Sequence, residues 1–206
     1  MAFKNIVFDI DGTLTDTEEA ILSALKEAVE AETGNKVEYE DLKFSFGIPG
    51  AETVKILKCP DTEKALKLWE DNVIKYKDKI TVFNGIEELL KKLKNSGYKL
   101  GVVTSKNRYE LETQFEPYGL SDYFDIEVCS DDTLKHKPDG EPLKFYISKS
   151  GADYKETLYI GDSIYDMQCA KNAGVVSALA VWGSKTKNIP ADFYLEEPSD
   201  LLKILE

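Results

Sequence analysis

Phe8-Asp9-Ile10-Asp11-Gly12-Thr13-Leu14-Thr15-Asp16 places two acids and a glycine directly behind an apolar run. It follows the apolar run Ile6-Val7-Phe8, which has the unbroken hydrophobicity of a buried parallel strand over residues 4–8. Two carboxylates then stand two residues apart where a fold would otherwise keep apolar side chains. Gly12 follows at once, permitting a sharp turn and a close approach of backbone to a ligand. Acids at the carboxyl end of a strand lie where open α/β sheets bind their ligands. Taken alone, the stretch also fits an ordinary Asp-Gly turn, and the rest of the chain has to separate the two readings.

Composition narrows the field. The chain has 206 residues, 42% of them hydrophobic and 31% charged, which suits a globular core of ordinary size with a smaller insert. Its formal net charge of −12 argues against nucleic acid as a partner, because phosphate backbones are held by basic patches. A small anionic substrate stays open, since a bound cation reverses the local sign. No apolar run reaches the ~18 residues of a membrane span, and the N-terminus lacks a signal-peptide pattern, so a cytoplasmic address is expected. Cys59, Cys129 and Cys169 are odd in number and lack CxxC spacing, which predicts buried, inert thiols rather than disulfides or a zinc site.

The order of elements predicts an α/β fold, a doubly wound, Rossmann-like parallel sheet with an inserted α-helical cap. Thr15 and Glu18 have capping-box spacing for a helix running to about Glu32, ended by Thr33-Gly34-Asn35. From Tyr39 to Lys79 the pattern stays helical, interrupted at Gly47-Ile48-Pro49-Gly50 and Cys59-Pro60-Asp61. The expected division is a core of residues 1–15 and 83–206 and a helical cap of 16–82. Beyond the cap, strands at 99–103, 126–128, 157–160, 175–181 and 193–195 alternate with helices. Asn84 is the expected cap of the first of these helices.

Three strands end in polar residues that such a sheet brings to one edge: Asp9, Thr104 and Asp162. The loop after the 126–128 strand adds Lys137, followed by Pro138, and Asp166 lies one helical turn beyond Asp162. Asp9, Asp11, Asp162 and Asp166 would repel one another unless protonated or gathered around a cation. A hard ion such as Mg²⁺ fits an all-oxygen set that leaves room for a phosphate oxygen. Carboxylates, a metal, a hydroxyl and an ammonium are the equipment of phosphoryl transfer.

In sequence order, Asp9-Ile10-Asp11-Gly12-Thr13-Leu14-Thr15-Asp16, Val102-Val103-Thr104-Ser105, Lys137-Pro138-Asp139-Gly140-Glu141-Pro142 and Gly161-Asp162-Ser163-Ile164-Tyr165-Asp166 resemble the four motifs of the haloacid dehalogenase (HAD) superfamily. A helical insert between the first two resembles the small cap of the phosphoglycolate phosphatase and β-phosphoglucomutase branch. The resemblance implies that Asp9 is the nucleophile, forming an aspartyl-phosphate and binding Mg²⁺. It implies that Asp11 contributes a backbone carbonyl to the metal and moves the proton of the leaving oxygen. Thr104 and the Ser105 amide would hold phosphoryl oxygens and Lys137 would offset their charge. Asp162 would ligate the metal, with Asp166 behind it or beside it. One departure is Gly140, where this branch often has proline.

The implied activity is a Mg²⁺-dependent phosphatase acting on a small phosphorylated metabolite, phosphoglycolate first, with pyrophosphate, sugar phosphates and nucleoside monophosphates behind it. The alternatives are a β-phosphoglucomutase-type phosphomutase, disfavoured because the cap lacks a histidine, an inorganic pyrophosphatase, and a non-enzymatic phosphate-binding protein, disfavoured because every motif residue is present. Monomer and dimer are equally open. Among the remaining candidates, His136 and Arg108 are expected to be surface residues and Trp69 and Trp182 core or interface aromatics. Asp16 supports entry to the cap or acts as a hinge. Phe46-Gly47-Ile48-Pro49-Gly50 is the expected substrate-reading loop.

Overall fold

The computed structural model describes residues 3–205. In chain order it contains β1 (Asn5–Phe8), β2 (Thr15–Asp16), α1 (Glu18–Thr33), α2 (Tyr39–Leu42), α3 (Gly50–Ile56) and α4 (Thr62–Lys75). Next come β3 (Thr81–Val82), α5 (Ile86–Asn95), β4 (Lys99–Val103), α6 (Arg108–Gln114), β5 (Ile126–Val128) and α7 (Glu141–Ser150). The chain closes with β6 (Thr157–Gly161), α8 (Ile164–Ala173), β7 (Val176–Ala180), β8 (Phe193–Leu195) and α9 (Asp200–Leu205). The ends of the expected core span, residues 1–2 and 206, lie outside the described residues.

A six-stranded sheet in the order β5-β4-β1-β6-β7-β8 forms the core, and every neighbouring pair in it is parallel. The period-2 alternation of a strand divides its side chains between two faces. Ile6, Phe8, Leu100, Val102, Leu158 and Ile160 meet Ile86, Leu89, Leu90 and Leu93 of α5, Leu111 of α6 and Leu201 of α9 on one face. Val7, Val103, Val128 and Tyr159 meet Leu143, Tyr146 and Ile147 of α7 and Cys169, Ala170 and Ala173 of α8 on the other. Helices on both faces make the sheet doubly wound, as expected. On this second face Gly101 admits the Tyr146 ring, because a Cβ there would fall 2.1 Å from Tyr146 Cε2.

A separate apolar cluster lies between the two halves of the core sequence. Ala20, Leu22, Leu25, Ala28 and Val29 of α1 pack with Val54 of α3 and Ala65, Trp69 and Val73 of α4. Trp69 is a core aromatic, its indole N–H donating to the Ile21 carbonyl at 3.2 Å.

Two helix starts differ from expectation. Thr15 is not a cap: Thr15 and Asp16 form β2, which pairs antiparallel with β3, Thr15 opposite Val82. The segments entering and leaving the helical insert therefore pair with one another. That pairing draws Thr15 into extended backbone, so α1 begins only after Thr17, which makes no side-chain cap hydrogen bond. At α5 the capping position is held by Gly85 at φ 85° rather than by Asn84. A left-handed φ suits glycine and lets the Ile86 N–H turn back to the Phe83 carbonyl at 3.1 Å. No helix among the described residues is long and apolar enough to cross a membrane.

All three cysteines are free and buried. Burial pushes the Cys129 and Cys169 thiols up to about 12 and raises Cys59 as well. A raised pKa keeps a thiol protonated and unreactive at pH 8. The native protein should therefore show no fast reaction with an aromatic disulfide reagent at pH 8, while the unfolded chain releases all three equivalents.

Candidate active site

Strand order sets the site. β1 lies between β4 and β6, with Phe8 opposite both Val102 and Ile160. The next residue, Asp9, is therefore flanked by the end of β4, which carries Thr104, and the end of β6, which carries Asp162. The Asp9 N–H donates to the Ile160 carbonyl at 2.8 Å, extending the strand pairing to the acid itself. Beyond it the chain folds tightly, because the N–H groups of Thr13, Leu14 and Thr15 all turn back to the Ile10 carbonyl. Gly12 sits at φ 79°, and a Cβ there would fall 2.3 Å from Asp162 Oδ2. The missing side chain thus lets the loop after β1 and the loop after β6 meet.

Lys137 is the electrostatic centre of this edge. Its buried ammonium donates to Asp9 Oδ1 at 2.8 Å and to Asp166 Oδ1 at 2.7 Å. Asp166 is wholly buried in the first turn of α8. Its Oδ2 accepts from the Ser163 N–H at 3.0 Å and from the Ser163 hydroxyl at 2.5 Å, a reciprocal capping box. The Tyr159 hydroxyl lies 3.0 Å from Asp166 Oδ1 and 2.9 Å from the Val103 carbonyl. Behind Lys137, the Asn172 amide donates to the Pro138 carbonyl at 2.9 Å. A Cβ on Gly140 would strike the Ala173 nitrogen at 2.5 Å. The loop is packed onto α8 so closely that it is held without the proline this branch often carries there.

The charges respond to this crowding. Burial pushes Asp9 up to about 7 against the pull of Lys137, with Asp166 and Asp11 adding to the rise. Burial acts on Asp166 too, but the Lys137 ammonium and the Ser163 donors reverse it and hold that carboxyl below its usual range. Asp162 is driven well above its usual value by burial, then by Asp166 and Asp9. Lys137 stays charged: burial opposes its proton, and the two carboxylates outweigh that.

Asp9, Asp162 and Asp166 each offer a carboxylate oxygen, all within 4.8 Å of one another. Every donor is a hard oxygen, and Asp162 has no ion-pair partner among the described residues. A divalent cation beside Asp162 would relieve the repulsion that drives its proton affinity up. Since both Asp166 oxygens are already engaged by Lys137 and Ser163, Asp9 and Asp162 are the pair left to hold such an ion. The residues fit one.

On the other side, Asp9 and Asp11 open into a cavity of about 50 Å³ between the core and the helical insert. Ser105 and Lys106 from the loop after β4 line it together with Phe46, Gly47, Ile48 and Trp69 from the insert. The expected substrate-reading loop therefore does face this space. The Ser105 hydroxyl reaches across to donate to the Gly47 carbonyl at 3.0 Å, and the Asn107 amide donates to Glu70 of α4 at 2.8 Å. Thr104 is buried, its hydroxyl accepting from the Lys106 N–H at 3.2 Å.

Lys106 was not singled out in the sequence. Buried like Lys137, it pairs with Asp11 Oδ2 at 3.0 Å and with Gln114 Oε1 at 3.0 Å. The one local signal was its place directly after Thr104-Ser105 at a strand end. Among the other candidates, Arg108 pairs with Asp132 and Glu127. His136 is half-buried rather than exposed, and its Nδ1 has no partner among the described residues. Trp182 donates to the Thr13 carbonyl at 3.0 Å, bracing the turn after the acids, and Asp16 is exposed in β2.

The model of the haloacid dehalogenase-like hydrolases matches residues 6–180, nearly the whole sheet. The chain belongs to that family. Within it, the chain is an enzyme of the phosphatase type, on the phosphoglycolate phosphatase and phosphomutase side of the family. It is 33% identical over 211 residues to a candidate pyrophosphatase PpaX from Caldanaerobacter subterraneus subsp. tengcongensis, covering 100% of this chain and 96% of that protein. It is 32% identical over 204 residues to the pyrophosphatase PpaX of Bacillus velezensis, covering 97% of this chain and 94% of that one. Among solved structures, a candidate phosphoglycolate phosphatase from Lactobacillus plantarum superposes with a TM-score of 0.89 at 31% identity, over 99% of this chain and 100% of the other.

Replacing Lys137 by methionine should leave Asp9 and Asp166 facing each other in the buried edge of this HAD hydrolase without a counter-charge. Breaking one partner of a buried pair costs about 3–5 kcal/mol. The loss should appear as a lower urea midpoint with an unchanged denaturant slope in metal-free buffer.

Proposed function

We propose that this protein is a Mg²⁺-dependent phosphatase that hydrolyses a small phosphorylated metabolite through an aspartyl-phosphate on Asp9. The observation that carries the reading is Asp9 itself, held at 2.8 Å from the Lys137 ammonium, between Thr104 and Asp162, at the mouth of a cavity shared with Asp11. Residues 1–15 and 83–206 act as the catalytic core, and residues 16–82 act as the cap that closes over it.

Asp9 attacks phosphorus in line with the departing oxygen. Asp11 gives that oxygen a proton and later takes one from the water that cleaves the aspartyl-phosphate. The Thr104 hydroxyl and the Ser105 amide hold equatorial phosphoryl oxygens, and Lys137 offsets their charge while orienting Asp9. Asp166 acts through Lys137, which it fixes in place. Mg²⁺, held by Asp9, Asp162 and the Asp11 carbonyl, would neutralise charge on the phosphoryl group. The cap excludes bulk water through the contacts of Gly47 and Glu70 with the core.

Two observations order the alternatives. The cap side of the cavity is Ile21, Ser45, Phe46, Gly47, Ile48, Gly50, Trp69 and Val73, which supplies no histidine or other acid-base group, against a phosphomutase. Relatives at 33% and 32% identity carry the name pyrophosphatase, which brings pyrophosphate up beside phosphoglycolate as a substrate.

Purified protein should release phosphate from small phosphorylated compounds with Mg²⁺ present and stop when a chelator is added. Asp9→Asn should cut turnover by about 10³-fold or more while the thermal transition is retained. Isomerised sugar phosphate without net phosphate release would turn the reading to a mutase.

A further inference from the structure

The cavity beside Asp11 ends in donors that have nothing to donate to. An ammonium only donates, so the Lys106 bond fixes Oε1 of Gln114 as the acceptor and turns Nε2 away from it. Gln114 Nε2 is buried and has no hydrogen-bond partner among the described residues. The Ser45 hydroxyl, from the 3-10 turn Lys43–Ser45 of the cap, is buried and unpartnered in the same way. Lys106 has three protons and two acceptors, Asp11 and Gln114. All three residues line the cavity that Asp9 and Asp11 open into. Asp11 Oδ1 is buried and unpartnered at the same cavity, an acceptor facing the place proposed for the leaving oxygen. The buried donors beside it are costly without an acceptor and point to one that is absent.

The remaining wall is apolar, from Ile21, Phe46, Ile48, Trp69 and Val73, and offers few bonds to the hydroxyls of a sugar ring. Glu110 is the other acid at this end of the cavity. Its Oε2 accepts from the Asn107 N–H at 2.7 Å, and burial pushes its carboxyl up to about 7. That rise favours the protonated form, a donor rather than a repelling charge.

We propose that Lys106, Gln114 and Ser45 form a subsite for a compact oxyanion, a carboxylate or second phosphoryl group, carried by the leaving group of the substrate. The subsite rests on the phosphatase reading above and gives its substrate class: phosphorylated compounds with a second anionic group a few atoms from the scissile oxygen. Sugar and nucleoside phosphates fall outside that class. Ser45 belongs to the cap and Lys106 and Gln114 to the core, so the second anion also ties cap closure to the presence of the correct substrate.

The test compares 2-phosphoglycolate with ethyl phosphate, which differ only at the distal group. It adds pyrophosphate, whose leaving group also differs, so that for it only the change of ratio between wild type and variants is read. The ratio of kcat/KM for 2-phosphoglycolate, and separately for pyrophosphate, over ethyl phosphate is measured for the wild type, Gln114→Glu, Ser45→Ala and Lys106→Met. Gln114→Glu is the decisive variant: it keeps the acceptor for Lys106, keeps the shape and turns the orphaned donor into an acceptor. Its ratio for whichever anionic substrate the wild type prefers should fall about 10–100-fold, the worth of a hydrogen bond to a charged group. Lys106→Met also disturbs Asp11 and depresses both substrates, so only its ratio is read. Inhibitor binding separates the subsite from the reaction. With Mg²⁺ added, the wild type should bind phosphonoacetate about tenfold or more tightly than ethylphosphonate, a preference lost in Gln114→Glu. Absence of turnover with that preference intact would overturn the phosphatase reading and leave the subsite standing. No anionic preference in the wild type, or an undiminished one in Gln114→Glu, would overturn the subsite.

Discussion

The Lys137 ammonium between Asp9 and Asp166 is the contact on which the rest of the site depends. Two carboxylates that approach one buried point cannot both stay ionised without a counter-charge, and Lys137 supplies it at 2.8 and 2.7 Å. Each member of the trio is delivered by a different element. Asp9 comes from the end of β1, Lys137 from the loop before α7 and Asp166 from the first turn of α8. The ion pairs therefore hold three crossovers of the sheet in register at its carboxyl edge. The same contacts leave Asp162 without an ion-pair partner among the described residues, which is where a cation would compensate it.

A second lysine makes the edge asymmetric. Lys137 serves Asp9 from inside the core, whereas Lys106 serves Asp11 from the cavity side. The two acids of the opening motif are thus held by different cations, Lys137 bridging Asp9 to Asp166 and Lys106 joining Asp11 in the lining of the cavity that both acids open into. In the proposed reaction, that separation would let two similar side chains, two residues apart, take different parts. The cavity itself lies between a charged core and a largely apolar face of the helical insert.

Much of this was legible in the residues. Apolar runs and their helical neighbours marked every strand of the large sheet, and polar residues at the strand ends marked one edge. Asp9, Thr104 and Asp162 could be named because each directly follows a strand, Lys137 because it lies in the loop after β5, and Asp166 because it lies one helical turn beyond Asp162. What escaped depended on distant partners. Thr15 has every local property of a helix cap, yet pairing with Val82 sixty-seven residues away makes it a strand. Lys106 looks like a solvated lysine until Gln114 and Asp11 close around it.

The doubly wound α/β class, the helical insert and the acidic motif can be read from the residues alone, because period, turn chemistry and strand-end residues are local properties. Which cation meets which acid is visible in the folded chain alone. It alone showed that the chain entering the insert pairs with the chain leaving it, and that Gln114 and Ser45, each with a buried unpartnered donor, line one cavity. Ion pairing and burial are set by where remote segments meet, and no window of neighbouring residues contains that information.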